Sequence, residues 1–337
     1  MGSVTNVILH VANTYFEKEL KENRPLDIET ALRRSPVFSQ LQFLPCLYAS
    51  ENDGALVSDL PVPPFASKVA LHLISSPGDL TSYSKIESWG ASLSIDALAK
   101  LHGLIYEMPS WDVVREVNSK AFSYTNSPRL PHSALLFTKQ EILSWSATQK
   151  NACVLKSCFG AAGRGHLHLP CPEKMLDGFL RREGLPVIGE PWVQRDLDFS
   201  TQWKIEKGGT IEYLGAKICV TNDEGHHIAN RVGDILIPHL EKQKEISLAV
   251  LEKMASLNFF GNVGIDAMIY EGKLHPIVEI NARKTMGWFS LQVQKRHFPK
   301  QTISVSYVAG SNGKSLLPIA TTHQQFALRL IINEHSR

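Results

Sequence analysis

Short apolar runs alternate with segments of helical spacing over the first third of the chain. Val7–Val11 and Val69–Ile74 have the composition of buried strands, and Ile28–Leu44 has helical spacing that is interrupted at Pro36. This alternation predicts an α/β half-domain over about the first 110 residues. No Gly-x-Gly-x-x-Gly motif follows the first strand, so a dinucleotide-binding fingerprint is absent.

The middle of the chain has clearer boundaries between elements. Ala152–Lys156 predicts a strand that enters a glycine-rich loop, and a helix follows from about Pro172 to a C-cap at Gly184. Three further elements are predicted: a short extended connection at Val187–Val193, a strand at Ile211–Val220 and an amphipathic helix at Lys242–Leu257.

Two strands that flank the turn Glu271–Lys273 predict a β-hairpin with charged side chains. A tight turn there sets Asp266 opposite Ile277 and makes Glu279 the diagonal neighbour of Asp266. Because side chains alternate along a strand, Asp266, Glu279 and Asn281 then project from one face.

This polar set has two interpretations. Two carboxylates and an amide oxygen suit a hard divalent cation, whereas a solvated hairpin face would leave Asp266 at the surface. Met268 and Ile277 share the face, so it is not simply solvated. Paired carboxylates 4 Å apart repel by about 4 kcal/mol at an effective dielectric of 20 unless a cation or proton intervenes. Pro276 cannot donate to the ladder, so a bulge or an edge position there could shift the pairing.

The segment Glu279–Arg283, with Asp266 thirteen positions before Glu279, resembles the metal-binding end of the ATP-grasp ligases. The resemblance extends over roughly residues 113 to 290. It implies an α/β (α+β) chain in which an ATP-grasp fold of two subdomains clasps ATP, preceded by an N-terminal α/β pre-ATP-grasp domain. It also implies that Asp266 and Glu279 bind two Mg²⁺ ions, with Mn²⁺ as an alternative, that Asn281 completes one metal shell and that Arg283 steadies an acyl phosphate.

The same resemblance assigns the glycine-rich loop to the nucleotide. It implies that Lys156 binds phosphate and that the loop carrying Gly160, Gly163 and Gly165 is a mobile flap. Glycines let backbone N–H groups approach phosphate oxygens, although an ordinary glycine turn is the alternative. Lys120 is placed like the earlier phosphate lysine of the family, and the alternative for it is a solvated lysine at a helix end.

The resemblance also implies an adenine-binding hinge. Glu190 would receive the adenine amino group and Trp192 and Val193 would contribute main-chain contacts, while core packing is the main task expected of the Trp192 ring. Asp198 falls near the ribose-binding acid of the family, with Asp196 as a competitor. Arg231 is expected to contact phosphate or the substrate carboxylate, with a surface arginine as the alternative.

Four segments are expected along the chain. They are an N-terminal pre-ATP-grasp domain at 1–112, a nucleotide-binding subdomain at 113–187, a metal-binding subdomain at 188–300 and an extension of unknown role at 301–337.

Composition narrows the class of protein. Hydrophobic residues make up 43% and charged residues 20%, and the net charge is +2, so neither a disordered chain nor a nucleic-acid-binding or membrane-binding protein is indicated. No apolar run approaches 18 residues and the N-terminus lacks the basic start of a signal peptide, which predicts a cytoplasmic protein. Five cysteines without a Cys-x-x-Cys pair favour reduced thiols.

Other motifs are weaker. Gly310–Ser315 ends like a Walker A loop, but position 308 is Val308 where glycine is required, so a surface turn is expected. His166 and His168 alternate, and His226 and His227 are adjacent, yet neither pair has a third zinc ligand nearby.

These observations predict an ATP-dependent ligase. It would activate a small-molecule carboxylate as an acyl phosphate and join it to an amine, releasing ADP and phosphate. A small-molecule kinase of the same fold and a non-catalytic nucleotide-sensing protein are the alternatives. A homodimer is left open.

Overall fold

The computed structural model describes residues 7–62, 67–160, 165–221, 227–310, 316–323 and 327–335. The chain divides into two compact units. The first comprises Met1–Trp111, Ala216–Leu236 and Arg283–Arg337, and the second comprises Asp112–Gly215 and Ile237–Ala282.

The α-helices are α1 (Phe16–Glu22), α2 (Ile28–Arg33), α3 (Pro36–Leu41), α4 (Pro45–Tyr48), α5 (Leu93–Leu101), α6 (Trp111–Asn118), α7 (Lys120–Asn126), α8 (Lys139–Ala147), α9 (Glu173–Glu183), α10 (Leu240–Ser256) and α11 (Met286–His297). The strands are β1 (Ile8–Val11), β2 (Gly54–Val57), β3 (Ala70–Leu73), β4 (Lys85–Ser88), β5 (Ala134–Leu136), β6 (Cys153–Ser157), β7 (His166–Leu169), β8 (Val187–Pro191), β9 (Leu197–Ile205), β10 (Ile211–Thr221), β11 (His227–Val232), β12 (Gly261–Tyr270), β13 (Lys273–Asn281), β14 (Thr302–Gly310) and β15 (Ala327–His335).

The first unit contains a four-stranded parallel sheet in the order β3-β2-β1-β4. The Asp53 carboxylate, just before β2, accepts hydrogen bonds from the N–H groups of Ile8 at 2.9 Å and Ser50 at 2.8 Å, which fixes the start of β1. Asn13 Oδ1, just after β1, accepts from the Trp89 N–H at 2.8 Å. The two side chains therefore bind backbone N–H groups at the start of β1 and just after β4.

Two large apolar clusters stabilise the described part of the first unit. One packs the parallel sheet against its helices and includes Leu9, Leu32, Leu56 and Ile95. In the other, α11 covers the antiparallel strands β11 and β14 through Phe289, Val232, Ile303 and Val305.

The second unit contains a four-stranded antiparallel sheet in the order β5-β8-β6-β7. Leu155 and Val187 of this sheet pack with Ile142 of α8 and Phe179 of α9. A Cβ at Gly189 would lie 2.7 Å from the Trp145 ring, so the close approach of α8 to β8 requires glycine there.

The other ladder of the second unit runs in the order β13-β12-β9 and continues into the first five residues of β10, 211–215. Helix α10 packs across β13 and β9, and its Val250 and Met254 meet Val263, Ile265 and Ile280 in one apolar core. Helix α7 contacts β13 and β8. Both ladders therefore contribute to the surroundings of α7.

Most of the predicted elements are confirmed. The predicted strands appear as β1, β3, β6 and β10, and the helix predicted between Pro172 and Gly184 is α9, with these two residues as its caps. Pro36 separates two helices because it begins α3, which Ser35 caps. The segment Val187–Val193 is extended, as predicted, but most of it is the inner strand β8 and not a connection, because it pairs with β5 and β6.

The β12–β13 hairpin has a different register from the predicted one. Asp266 pairs with Glu279 and not with Ile277, because the ladder is irregular between Asp266 and Met268. Pro276 lies opposite this irregularity and has no N–H to donate. The two carboxylates are therefore direct neighbours across the ladder instead of diagonal ones.

All five cysteines are free thiols, as the sequence predicts. Among the described residues no helix is long and apolar enough to cross a membrane. Residues 311–315 of the predicted surface turn, as well as His226, lie outside the described residues.

Candidate active site

Three adjacent strands of the second unit carry a row of polar side chains. Asp266 on β12 pairs with Ser200 on β9 and with Glu279 on β13. Directly opposed residues of antiparallel strands lie on one face, with Cβ atoms about 4.5–5.5 Å apart. Asn281, two residues beyond Glu279, lies on this face as well, and its Nδ2 donates to Asp266 Oδ2 at 3.1 Å. The two carboxylates and the amide thus share a face, although in a different register from the predicted one.

A second row lies one step further along the same strands. Met268 pairs with Asp198 on β9 and with His275 on β13. Because Met268 is two residues after Asp266, this row has the same face and is displaced by about 7 Å. His275 is 6% exposed. The face therefore continues from a carboxylate row to a row that holds an acid, a thioether and an imidazole.

Lys120 reaches the carboxylate row from α7. Its Nζ donates to Glu279 Oε1 at 2.7 Å and to the Gly160 carbonyl oxygen at 2.6 Å, and the residue is 8% exposed. The alternative of a solvated lysine at a helix end is therefore wrong, because α6 ends at Asn118 and Lys120 begins the next helix. A cation in the first turn opposes the helix dipole, and the carboxylate and carbonyl oxygens offset this.

Hydrogen bonds fix the start of α7 against the end of β13. The Asn118 side chain accepts from the Ala282 N–H at 3.0 Å and donates to the Ala282 carbonyl at 3.4 Å. Ser123 Oγ accepts from the Ile280 N–H at 3.2 Å. Since β13 ends its sheet, its outer backbone groups need such partners. These contacts bring Lys120 to Glu279 across the long separation in sequence.

Lys156 and Glu190 form a second buried ion pair. Lys156 Nζ lies 2.5 Å from Glu190 Oε2, and the two side chains are 8% and 16% exposed. Glu190 pairs with Val154, two residues before Lys156, so the two charged side chains are diagonal neighbours on one face. Lys156, predicted to bind phosphate, and Glu190, predicted to bind adenine, are thus in direct contact.

The glycine-rich loop is described at its two ends. Gly165 has φ +84°, and a Cβ there would lie 2.2 Å from Ser157 Oγ, so only glycine fits. The Gly160 carbonyl binds Lys120. Gly163 lies outside the described residues.

Trp192 differs from the expectation of core packing. The ring is 43% exposed, because β8 ends at Pro191 and Trp192 lies beyond the sheet. It contacts the His168 ring at 4.5 Å and the Arg195 guanidinium at 5.5 Å. The Trp192 N–H donates to the Ala152 carbonyl at 2.8 Å, so this donor is already used.

The two candidate acids of the hinge region have different partners. Asp196 Oδ2 accepts from the Gly272 N–H at 2.9 Å and so supports the β12–β13 turn. Asp198 lies on the polar face and accepts two hydrogen bonds from Arg195, at 3.1 and 3.2 Å. This geometry favours Asp198 over Asp196 as a group that faces the site.

A cavity of mixed polarity lies between these groups. Its lining includes Lys120, Tyr124, Arg129, Lys156, Glu190, His275 and Ile277. Sequence reasoning did not single out Tyr124, Arg129 or His275. The Arg129 guanidinium lies 4.5 Å from the Tyr124 ring. No motif or spacing in the local sequence predicts this contact. For His275 a signal existed, because the imidazole interrupts the apolar run from Leu274 to Val278.

Two histidines near the cavity have lowered pKa values. Burial lowers the pKa of His166 to about 4, and the ammonium groups of Lys156 and Lys120 add to the effect. Burial also lowers the pKa of His275 to about 4, with Glu190 opposing and Lys156 contributing. Both imidazoles are therefore neutral near pH 7.

The two arginines of the sequence prediction belong to the first unit. Arg283 pairs there with Glu17, and its side chain is 12% exposed. Arg231 lies on β11 between Ile218 and Ser304. It is partly buried, and its Nε has no hydrogen-bond partner among the described residues.

The carboxylate row offers a small set of oxygen donors to a metal ion. The described residues contain no group of three His, Cys, Asp or Glu side chains that could hold an ion. Asp266, Glu279 and Asn281 offer two carboxylates and an amide, and Lys120 already places one positive charge on Glu279. Oxygen donors of this kind fit Mg²⁺, which takes one or two carboxylates and keeps other positions for phosphates and water.

No family model matches the sequence, and no curated protein matches it significantly. Solved structures do match. An N5-carboxyaminoimidazole synthetase from Staphylococcus aureus complexed with ADP superposes with a TM-score of 0.55 at 13% identity, covering 91% of this chain and 83% of that one.

Two carboxylases are also similar. The biotin carboxylase domain of the Hydrogenobacter thermophilus 2-oxoglutarate carboxylase, a dimer complexed with MgADP, ADP and bicarbonate, gives a TM-score of 0.56 at 13% identity, over 91% of this chain and 75% of that one. Biotin carboxylase from Campylobacter jejuni gives 0.55 at 12% identity, over 93% and 78%. The chain therefore has the ATP-grasp fold, as the sequence predicts.

Proposed function

We propose that this chain is an ATP-dependent carboxylate–amine ligase. The observation that carries the proposal is the pair of buried lysines, Lys120 and Lys156, which line one cavity and contact Glu279 and Glu190. Cations beside a row of carboxylates are suited to a polyphosphate that is bound together with a divalent metal.

ATP would lie along the polar face. Lys120 and Lys156 neutralise its phosphates, and Gly160 and Gly165 bring backbone close to them. Glu190 accepts from the adenine amino group. Since the Trp192 N–H is taken by Ala152, the main-chain donor at the hinge is Val193.

Asp198 accepts from the ribose hydroxyls at the adjacent row of the sheet. Asp198 supports this role because it pairs with Met268 in the row next to the carboxylates. The ion pair with Arg195 keeps the Asp198 carboxylate oriented.

Asp266, Glu279 and Asn281 would hold the metal, with two Mg²⁺ ions as the expected number and Mn²⁺ as a substitute. Bound there, the metal supplies charge neutralisation at the phosphates. The residues themselves orient the oxygen ligands, since Asn281 holds Asp266 and Lys120 holds Glu279.

The reaction has two steps, and each step forms one bond between heavy atoms and breaks another. A substrate carboxylate oxygen attacks the γ-phosphorus, and the bond to ADP breaks. An amine then attacks the acyl carbon of the acyl phosphate, loses a proton, and phosphate leaves with the C–O bonding pair. Arg283 and Arg231 stabilise negative charge on the transferred phosphoryl group and on the substrate carboxylate.

Both substrates are proposed to be small molecules. Among the similar structures one holds bicarbonate and another, from Aspergillus clavatus, holds ADP and an aminoimidazole ribonucleotide. A homodimer is proposed by analogy with the dimeric Hydrogenobacter domain.

Hydroxylamine trapping tests the ligase. The purified chain is incubated with Mg²⁺, ATP and a panel of amino acids and small carboxylic acids, with hydroxylamine in place of the amine. A correct acid yields a hydroxamate together with equal amounts of ADP and phosphate. ATP consumption with a stable phosphorylated product and no hydroxamate identifies a kinase instead. Binding of ATP without turnover across the whole panel identifies a nucleotide sensor.

A further inference from the structure

The β12–β13 hairpin contains a bulge immediately beside the carboxylate row. Met268 pairs with His275, in the regular register that starts at the turn, but Asp266 then pairs with Glu279. Between these two pairs β12 has a single residue, whereas β13 has the segment 276–278. Strand β13 therefore carries extra residues at this point and bulges away from a regular ladder.

This bulge determines which residue lies opposite Asp266. If the register of the turn continued without it, Asp266 would pair with Ile277, and Glu279 would lie one ladder step away, at about 7 Å. In the structure Ile277 is 3% exposed and belongs to the apolar core that contains Val250 and Met254 of α10. The bulge thus replaces Ile277 by Glu279 as the partner of Asp266.

Gln243 of α10 binds the main chain of the bulge. Its Nε2 donates to the Pro276 carbonyl oxygen at 3.2 Å and to Ser247 Oγ at 2.9 Å. A carbonyl oxygen can only accept, so the nitrogen of this amide, and not its oxygen, faces Pro276. Gln243 and Pro276 are both buried, so water does not compete for this hydrogen bond.

A glutamine at this buried position has a cost for stability. Gln243 Oε1 is buried and has no hydrogen-bond partner among the residues that the structure describes. A buried polar atom without a partner is unfavourable, and an apolar side chain of similar length, such as methionine, avoids this penalty. What the glutamine adds is a directional hydrogen bond to the bulge, which the packing of Ile277 does not supply.

We propose that Gln243 is a positioning residue for the metal site, because its bond to the Pro276 carbonyl fixes the bulge that keeps Glu279 directly opposite Asp266. Gln243 acts through β13 and is not itself a metal ligand. Without this bond the segment 276–278 samples other main-chain conformations, so the two carboxylates spend less time in the arrangement that shares an ion. The inference rests on the proposed function and deepens it.

Two measurements on the full-length chain test this role. Gln243→Met removes the donor and keeps the side-chain length. Gln294→Met is the matched control, since Gln294 is a buried glutamine that donates to two main-chain carbonyls in the first unit. Without metal, hydrogen–deuterium exchange of peptides that cover β13 should be about 5- to 10-fold faster in Gln243→Met, as expected for the loss of one hydrogen bond. Titration with Mn²⁺ in the presence of ADP, followed by electron paramagnetic resonance, should show metal binding weakened by about 5- to 10-fold in the same variant. The control should match the wild type in both measurements.

Thermal unfolding and metal-free nucleotide binding separate positioning from general support of the fold. Methionine removes the unpartnered oxygen together with the donor, so the Tm of Gln243→Met should stay within about 4 °C of the wild type. ADP affinity in EDTA should stay within about twofold, because the lysines that bind phosphate are retained. Gln243→Asn has an amide that is one methylene too short to reach Pro276. It should show the same two changes, and it serves if the Met variant does not fold.

A folded Gln243→Met chain that matches the wild type in exchange of β13 and in Mn²⁺ affinity would overturn this role. Either change without the other would also overturn it, because the bulge and the metal site would then be independent. A large fall in both Tm and metal-free ADP affinity would mean that Gln243 supports the fold as a whole. In these cases the wild-type chain still binds Mn²⁺ with ADP, so the proposed function stands. A wild-type chain that binds ADP but no Mn²⁺ would overturn the metal assignment and this inference together, and one that binds neither would overturn the proposed function as well.

Discussion

Lys120 and Glu279 meet at 2.7 Å although 159 residues separate them in the chain. The lysine begins a helix, where the backbone already presents partial positive charge, and it is nearly buried. The fold thus places the Lys120 ammonium group near the positive end of a helix dipole. The Glu279 carboxylate, on the edge strand β13, offsets this electrostatic cost. Such local cost is expected where a ligand later shares the charge.

Lys120→Met should therefore abolish most activity while keeping the fold. The Met side chain preserves the apolar stem, but Glu279 loses its ammonium partner and the phosphates lose a positive charge. We expect ATP turnover to fall by about 10²–10³. ADP release with a competent acid measures this, and Lys139→Met, at a partly exposed lysine of α8 that pairs with other carboxylates, is the matched control.

Turnover within about threefold of the wild type in a folded Lys120→Met chain would contradict the phosphate role. The Lys139→Met control separates a specific loss from a general effect of removing a lysine from the second unit.

Lys156→Ala should weaken ATP binding and slow phosphoryl transfer by about 10²–10³. The contact with Glu190 adds a consequence that the sequence did not reveal, because the single variant leaves a half-buried carboxylate without its partner. Thermal unfolding should show a lower Tm for Lys156→Ala than for the double variant Lys156→Met with Glu190→Gln. A Tm and a turnover both equal to the wild type would place Lys156 outside the nucleotide site.

Asp266→Asn should raise the Mg²⁺ concentration needed for half-maximal turnover. The amide keeps the shape and the hydrogen-bond reach of the side chain but removes one of the two opposed negative charges. A Mg²⁺ titration at saturating ATP should shift by about tenfold or more. Glu271→Gln in the exposed turn of the same hairpin is the control, and a Mg²⁺ curve for Asp266→Asn that coincides with this control would argue against the metal assignment.

The hairpin illustrates how far the sequence alone reaches. Alternation and a short turn predicted both strands and a common face for Asp266 and Glu279, since these depend on neighbours in the chain. The register was wrong because the ladder is irregular opposite Pro276, and periodicity carries no information on where the shift occurs. Pro276 indicated where the ladder could become irregular, but it did not indicate which residues would then pair.

Long-range partners account for the other differences. Nothing near Lys120 in sequence indicates that Asn118 and Ser123 bind the end of β13, so the burial of Lys120 could not be predicted. The exposure of Trp192 likewise depends on where β8 ends, which its distant partner β6 determines. Residue type indicates a candidate chemistry for the site, whereas burial depends on partners that are distant in sequence.

His275 should make stability depend on pH in the mildly acidic range. Its pKa is lowered from 6.5 to about 4 in the folded chain, so between these values the unfolded chain binds more protons and stability falls as pH falls. From pH 7 to pH 5 the loss due to this residue should be roughly 2 kcal/mol. Urea unfolding at both pH values should show a smaller loss for His275→Asn than for the wild type. An unchanged loss would mean that the imidazole is not what resists protonation.

The role proposed for Arg283 predicts different outcomes for a ligase and a kinase, and the contact of Arg283 with Glu17 allows a graded test. Arg283→Ala should leave ATP affinity nearly constant, because Lys120, Lys156 and the hinge hold the nucleotide, yet it should reduce hydroxamate formation by about 10²-fold or more, since an arginine beside an acyl phosphate stabilises the forming anhydride. Glu17→Gln removes only the charge that orients the guanidinium and should cause a smaller loss, with Arg34→Ala at an exposed position as control. Calorimetry gives the ATP affinity and the colour reaction with Fe³⁺ gives the hydroxamate. If ATP affinity and hydroxamate yield fall together in Arg283→Ala, the arginine binds nucleotide and has no separate role at the acyl phosphate.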